Sequence, residues 1–285
     1  PAELRDFQPH DRLLNRALMK PFATSIFAII AVASIAQPAF AQRKVTVTVQ
    51  NIAPPNSVGV APLNVGFSGG SFDAFNDGGK APGSIVTAAE LGSGAAWLPA
   101  FAAADPKAVV GTVGGAPMPP GGIASATFLV DPKTNPFFTF AAMVVPSNDF
   151  FIGNDDPQAY RLFDDKGNLL ITSITQYGRD IWDAGSELFN SDNAAFVAGA
   201  DATRRIAEDG TVSHSFADLA KFNGLLTAAG YNFNSGISDD TPFYRITFSA
   251  AAVPEPATWG MMLLGFGLIG GAIRARRPAK APAIA

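Results

Sequence analysis

A seven-residue segment near the start of the main body alternates strictly between apolar and polar side chains. In the segment 44–50 (KVTVTVQ), Val45, Val47 and Val49 occupy every second position. This period of two is typical of a β-strand with one buried face and one exposed face. Such a strand needs a second apolar layer to cover its buried face.

Further short apolar segments bounded by turn residues extend this pattern along the chain. We predict strands at 125–130, 137–145, 160–163, 169–176 and 243–250. The segment 164–168 (DDKGN) predicts a hairpin loop in which Gly and Asn adopt positive φ, and 111–122 predicts a long loop. Helices are predicted only at 95–104 and at 216–229, the second between a Ser215 cap and Gly230. The pattern predicts a mostly-β domain, an antiparallel β-sandwich with two or three short accessory helices.

Composition excludes several classes of function. The chain has no cysteine, which excludes disulfides, zinc–thiolate sites, iron–sulfur clusters and cysteine nucleophiles. It has 20 Lys and Arg against 24 Asp and Glu, and the body contains no basic cluster. Binding to nucleic acid requires cations that displace counterions from phosphates, so we do not expect a nucleic-acid partner.

The N-terminal residues predict an export signal. Residues 1–18 have no core-forming pattern and are predicted to be an upstream extension outside the native structure, with Met19 as the favoured start. Residues 19–41 combine Lys20, an apolar run at 22–36 and small residues at Ala39 and Ala41, as in a secretory signal helix. A membrane-spanning helix is the alternative, but about 15 apolar residues are too few to cross a bilayer.

The C-terminal residues have a three-part order. Pro254, Glu255 and Pro256 precede an uncharged segment at 257–273, which predicts a transmembrane helix, and three arginines follow: Arg274, Arg276 and Arg277. This order over 252–278 resembles the PEP-CTERM sorting signal of Gram-negative bacteria that make exopolysaccharide. The resemblance implies an exosortase partner, a transient inner-membrane anchor and a cytoplasmic tail at 279–285. A permanent single-span anchor is the alternative.

The body, residues 42–251, is acidic, and its carboxylates are concentrated in one region. Residues 145–192 contain nine carboxylates against the three cations Arg161, Lys166 and Arg179. These charges repel one another unless water or a cation intervenes. Ca²⁺ is a suitable partner because it takes six to eight oxygen ligands from irregular loops. A solvated acidic surface is the alternative.

Two motifs in this region are predicted to follow strands. The first is 146–153 (PSNDFFIG) and the second is 183–187 (DAGSE). Small residues at 184 and 185 let the chain curl, so that Asp183 and Glu187 can face a common point. If the two loops meet, Asp149 adds a third carboxylate.

These motifs resemble the core signature of the spondin N-terminal domain family, over roughly 44–250. The resemblance implies a C2-like β-sandwich that binds Ca²⁺ at its loop ends through Asp149, Asp183 and Glu187. Phe150 stands where the family usually has Trp, and the chain lacks the cysteines of the animal proteins.

Catalysis is not predicted. The chain has two histidines, His10 and His214, and His214 is expected to be an exposed residue before a helix. We therefore predict an exported, non-catalytic calcium-binding module for adhesion or organisation at the cell surface or in an exopolysaccharide matrix. The alternatives are a polysaccharide-active enzyme using Asp183 and Glu187, and a domain that docks lipid or glycan through calcium.

Overall fold

The computed structural model describes residues 42–253 and 256–275. Within these residues the chain is mostly β, with a few helices. The strands are β1 (Arg43–Asn51), β2 (Gly59–Val60), β3 (Leu63–Ser68), β4 (Val109–Val113), β5 (Ile123–Val130), β6 (Phe137–Val145), β7 (Phe150–Gly153), β8 (Ser173–Tyr177), β9 (Trp182–Asp183), β10 (Ser213–His214) and β11 (Pro242–Ala252). The helices are α1 (Gly83–Leu91), α2 (Trp97–Ala104) and α3 (Pro256–Ala275). The mostly-β prediction is confirmed, whereas the signal peptide and the upstream extension lie outside the described residues.

The strands form two antiparallel sheets. One has the order β5-β1-β11-β8, and the other has the order β10-β9-β7-β6-β3-β4, with β2 pairing to β6. Strand β1 lies between β5 and β11, where Val47 is in register with Ala126 and Phe248. Its valines are buried, while the hydroxyls of Thr46 and Thr48 hydrogen-bond across to β5 on the other face. The predicted half-buried strand is confirmed.

Aromatic side chains join the two sheets into a sandwich. The ring of Phe138 in β6 lies 4.8 Å from that of Phe248 in β11 and 5.3 Å from that of Phe67 in β3, centroid to centroid. Phe67 in turn contacts Phe128 of β5 at 5.3 Å. Rings at this spacing and in tilted orientations stabilise a core beyond their buried area. The sandwich architecture is confirmed, and the C2-like topology stays a prediction.

Helices α1 and α2 cover the opposite face of the larger sheet. Ala141 of β6 and Phe151 of β7 point into this second layer, where they meet Trp97 and Phe101 of α2. A Cβ on Gly66 would lie 2.2 Å from the Phe101 ring, so glycine allows α2 to approach β3 closely. Strand β6 is therefore buried on both faces.

Several local predictions are wrong. The predicted helix at 216–229 is a short 3₁₀ turn, Ala217–Phe222, because the rest of the segment pairs with other loops. Ala228 N–H donates to the Phe196 carbonyl, for example, and Gly224 N–H donates to the Phe233 carbonyl. Helix α1 was not predicted, and β4 occupies part of the predicted loop at 111–122. The hairpin at 164–168 is confirmed, with positive φ at Gly167 but not at Asn168.

The C-terminal segment forms the helix α3, over slightly more than the predicted 257–273. Among the described residues, however, no helix has the length and apolar character that crossing a bilayer requires. The predicted transmembrane span is thus unsupported.

Removing the ring that joins the sheets should destabilise the body strongly. We expect Phe138→Ala to lower the free energy of unfolding by about 3–5 kcal/mol, because it leaves a cavity in the core. Leu129→Ala, at a position 53% exposed on β5, should cost less than about 1 kcal/mol. Urea denaturation measures both, and equal losses would contradict the assigned core.

Candidate metal centre

Strand pairing brings the two predicted motifs together. Asp149 directly precedes β7, and Asp183 ends β9. Strands β7 and β9 are neighbours, with Phe150 opposite Asp183. The loop before β7 and the bend after β9 therefore meet at one edge of the larger sheet, which is the condition under which the sequence adds Asp149 to Asp183 and Glu187.

The buried carboxylate of Asp149 fixes the bend at 183–187. Its Oδ2 accepts hydrogen bonds from the backbone N–H groups of Ser186 (2.7 Å) and Glu187 (3.0 Å), and from the Ser186 hydroxyl (3.2 Å). Asp149 itself is only 4% exposed. The Asp183 carboxylate makes a local turn by accepting from the N–H of Gly185 at 2.7 Å.

Gly185 lets a third segment pack against this bend. It adopts a φ of 60°, and a Cβ there would lie 2.6 Å from the backbone nitrogen of Thr211. The Gly210 N–H donates to the Gly185 carbonyl at 2.9 Å, and the Glu208 N–H donates to the Ser186 carbonyl, also at 2.9 Å. The segment before β10 is thereby held beside the two motifs.

Five carboxylates line the small cavity that these segments enclose. Its volume is about 40 Å³, and the carboxylates belong to the three predicted residues Asp149, Asp183 and Glu187 together with Glu208 and Asp218. Phe150, Phe189 and Phe222 form apolar walls. Sequence reasoning missed Glu208 and Asp218, because long-range pairing brings them to the site: the Glu208 N–H donates to the Ser186 carbonyl, and β10, which lies between the two residues, pairs with β9.

Glu187 also has a cationic neighbour. Its Oε1 accepts from Asn148 Nδ2 at 3.2 Å, and its Oε2 lies 3.7 Å from Arg205 Nε. Arg205 forms a closer ion pair with the Glu90 carboxylate, and its Nη2 donates to the Glu90 carbonyl at 2.9 Å. Asp149 and Asp183 have no such cation among the described ion pairs.

Negative charge is unfavourable in this cavity. Burial, reinforced by the charge of Asp183, raises the pKa of Asp149 to about 7 despite the N–H groups that favour its ionised form. Burial also raises the pKa of Asp183, and the charges of Glu208 and Asp218 add to that rise. Burial raises the pKa of Glu187 too, against the opposing effects of Asn148 and Arg205. Protons or a cation would relieve this repulsion.

The donor chemistry fits a hard cation, but the described side chains do not form a preassembled site. Carboxylate oxygens are the ligands that Ca²⁺ prefers. Among residues 42–253 and 256–275, however, no three Asp, Glu or His side chains lie close enough to hold one metal ion. One oxygen of Asp149 and one of Asp183 are instead held by backbone N–H groups.

Comparison with known families matches residues 252–277 to the PEP-CTERM protein-sorting motif. Of the predicted sorting residues, Pro256 and Arg274 lie on α3, while Pro254, Glu255, Arg276 and Arg277 fall outside the described residues. The motif implies an exported protein that an exosortase processes, and it indicates the cell surface as the destination. No spondin match supports the resemblance predicted for the body, and a search of curated proteins finds no match.

A side chain at position 185 should disrupt the candidate site. We expect Gly185→Ala to lower the free energy of unfolding by roughly 3 kcal/mol, because it combines a strained φ with a clash against Thr211. Gly199 provides a matched control, since its φ is 80° and a Cβ there meets nothing within 4 Å. Gly199→Ala should cost only about 1 kcal/mol. If urea denaturation shows equal losses in the free energy of unfolding for the two variants, position 185 is not closely packed.

Stability should also depend on pH in an unusual direction. The folded-state pKa of Asp149 is about 7 against an ordinary value of 3.8, so the folded state binds more protons between these values. The free energy of unfolding should therefore fall as pH rises from about 4 to 7, by up to a few kcal/mol. Melting in chelator from pH 5 to 7.5 tests this, and a rising melting temperature would contradict it. Asp149→Asn should make the melting temperature depend less on pH.

Proposed function

We propose that the exported body is a non-catalytic calcium-binding module that acts at the cell surface or in the exopolysaccharide matrix. The supporting observation is the cavity of five carboxylates at the junction of three loop segments. The raised pKa of Asp149 supports it further, because a cation offsets the same repulsion that a proton offsets.

The size of the cavity favours an ion over a sugar. Pockets that bind organic ligands usually measure about 300–1,000 Å³, whereas this one measures about 40 Å³. A glycosidase also needs a cleft on both sides of the scissile bond. The geometry therefore supports a metal role for Asp183 and Glu187 over the alternative of a polysaccharide-active enzyme.

Asp149, Asp183 and Glu187 would hold the ion, and Glu208 and Asp218 would add negative charge around it. When bound, Ca²⁺ would supply charge neutralisation rather than reactive chemistry. The carboxylates must move together to bind it, so we expect the modest affinity of extracellular modules, with a Kd of roughly 10⁻⁴–10⁻³ M.

The role of the chain's own residues is to convert ion binding into rigidity. The Asp149 carboxylate already ties the bend at 183–187 to the loop before β7. A shared cation would remove the repulsion that opposes this tie. Outside the cell, where Ca²⁺ is abundant, the exposed edge formed by β9 and β10 would then present a fixed surface to matrix components.

Calcium should raise the melting temperature of the full-length protein at pH 7.5. With a Kd of about 1 mM, 10 mM Ca²⁺ stabilises by about 1.4 kcal/mol, or roughly 3–6 °C for a body of this size. Asp149→Asn keeps an oxygen that can accept from Ser186 and Glu187, but removes the charge. It should melt higher than the unmodified protein in chelator and lose the calcium response.

The matched control is Asp165→Asn, which removes an exposed carboxylate that pairs with Arg161 outside the cavity. This variant should keep the full calcium response. An equal response in Asp149→Asn and Asp165→Asn would place calcium elsewhere, and no response in the unmodified protein would exclude the proposed site.

A further inference from the structure

A second concave surface lies at the same edge of the sheet and is much larger than the carboxylate cavity. This groove measures about 500 Å³ and is lined by Arg179, Ile181, His214, Ser215, Phe216, Ala217 and Asp239. Its volume falls in the range of pockets that bind organic ligands. Ile181 is buried, Arg179, His214 and Asp239 are exposed, and Ser215 is half-buried.

The walls of the groove are fixed by backbone hydrogen bonds. On one side, the Arg179 N–H donates to the Asp239 carbonyl at 3.2 Å, and the Gly178 N–H donates to the Thr241 carbonyl at 3.0 Å. On the other, the Ser215 N–H donates to the Ile181 carbonyl at 3.3 Å. The groove is therefore part of the folded body rather than a gap between loose loops.

An aromatic platform is preorganised at the groove, which His214 lines. The His214 ring stacks on the buried indole of Trp182, with centroids 3.4 Å apart and planes 27° apart. The indole is itself held, because Trp182 Nε1 donates to the Gly153 carbonyl at 3.2 Å. His214 is exposed, and half-buried Phe216 lines the same groove.

Polar groups for hydroxyl recognition line the same groove as this platform. The Asp239 carboxylate has no hydrogen-bond or ion-pair partner among the described residues, so its oxygens are available as acceptors. The Arg179 guanidinium lies 4.5 Å over the Tyr177 ring and pairs with Asp240, which positions its donors at the rim. An apolar ring face with acceptors and donors around it is complementary to a pyranose, which has C–H groups on its face and hydroxyls on its edge.

The negative charge of the body favours neutral glycans over acidic ones. Residues 42–253 carry 12 Lys and Arg against 20 Asp and Glu, and Asp239 lies in the groove itself. A polyanionic chain would be repelled on approach. We propose that this groove, built on the His214–Trp182 stack, binds neutral pyranose units of a polysaccharide. The inference rests on the proposed matrix role and identifies its partner.

Affinity electrophoresis of the full-length protein in calcium tests the inference. Native gels would contain dextran, laminarin, galactomannan or xylan, with alginate as the polyanionic comparator. At least one neutral polysaccharide should retard the protein, and His214→Ala should weaken that binding roughly 3- to 10-fold. His214→Phe, which keeps a ring, should stay within about twofold, and Asp239→Asn should weaken binding by a comparable factor without disturbing the fold.

The calcium-induced rise in melting temperature, measured for the same variants, separates this inference from the calcium site. His214→Ala and Asp239→Asn should keep that rise while their polysaccharide binding is weakened. No retardation by any neutral polysaccharide, retardation by alginate alone, or unchanged binding in both variants would overturn the groove assignment. If the calcium-induced rise in melting temperature persists, these results would not affect the calcium proposal.

Discussion

One buried hydrogen-bonded carboxylate organises the candidate site. Asp149 is nearly inaccessible to solvent, and its Oδ2 accepts the N–H groups of Ser186 and Glu187, more than 35 residues away in the chain. Each hydrogen bond to a charged group contributes about 1.5–3 kcal/mol. They do not offset burial fully, because the pKa of Asp149 is still raised to about 7. The same group therefore assembles the site and makes it electrostatically unfavourable when no cation is bound.

The fold tolerates this electrostatically unfavourable site because the site is attached to β6, a strand that is buried on both faces. Strand β6 packs against the opposing sheet through Phe138 and against the helical layer through Ala141, and it leads directly into the loop that contains Asp149. A site that lowers stability persists only where the surrounding core is strong enough. The carboxylates are thus crowded at the end of a strand that packing holds in place on both faces.

Sequence patterns predicted the parts of the molecule that local chemistry determines. The alternation at 44–50 predicted the burial of β1, and the polar motifs after two apolar segments predicted bends at strand ends, whose meeting the sequence left open. Glu208 and Asp218 were not predictable, because their segment has no period and reaches the site through long-range pairing with the bend at 183–187 and with β9. The helix predicted at 216–229 failed for a related reason: hydrogen bonds to distant loops, such as Ala228 to Phe196, replace the bonds within a helix. Helix α1 was missed because Pro82 precedes it without a side-chain cap.

The two-residue strand β9 connects the two proposed sites. Asp183 pairs with Ser213 and lines the carboxylate cavity, whereas Trp182 pairs with His214 and supports the ring in the groove. Successive strand residues point to opposite faces, so a slip of one residue between β9 and β10 would misplace both sets of side chains. The contact of Gly185 with Gly210 and Thr211 opposes such a slip, because it fixes the chain directly after β9 against the chain directly before β10. The register set by these glycines thus determines the cavity and the groove together, and stiffening of the cavity by a cation would also hold the platform beside it.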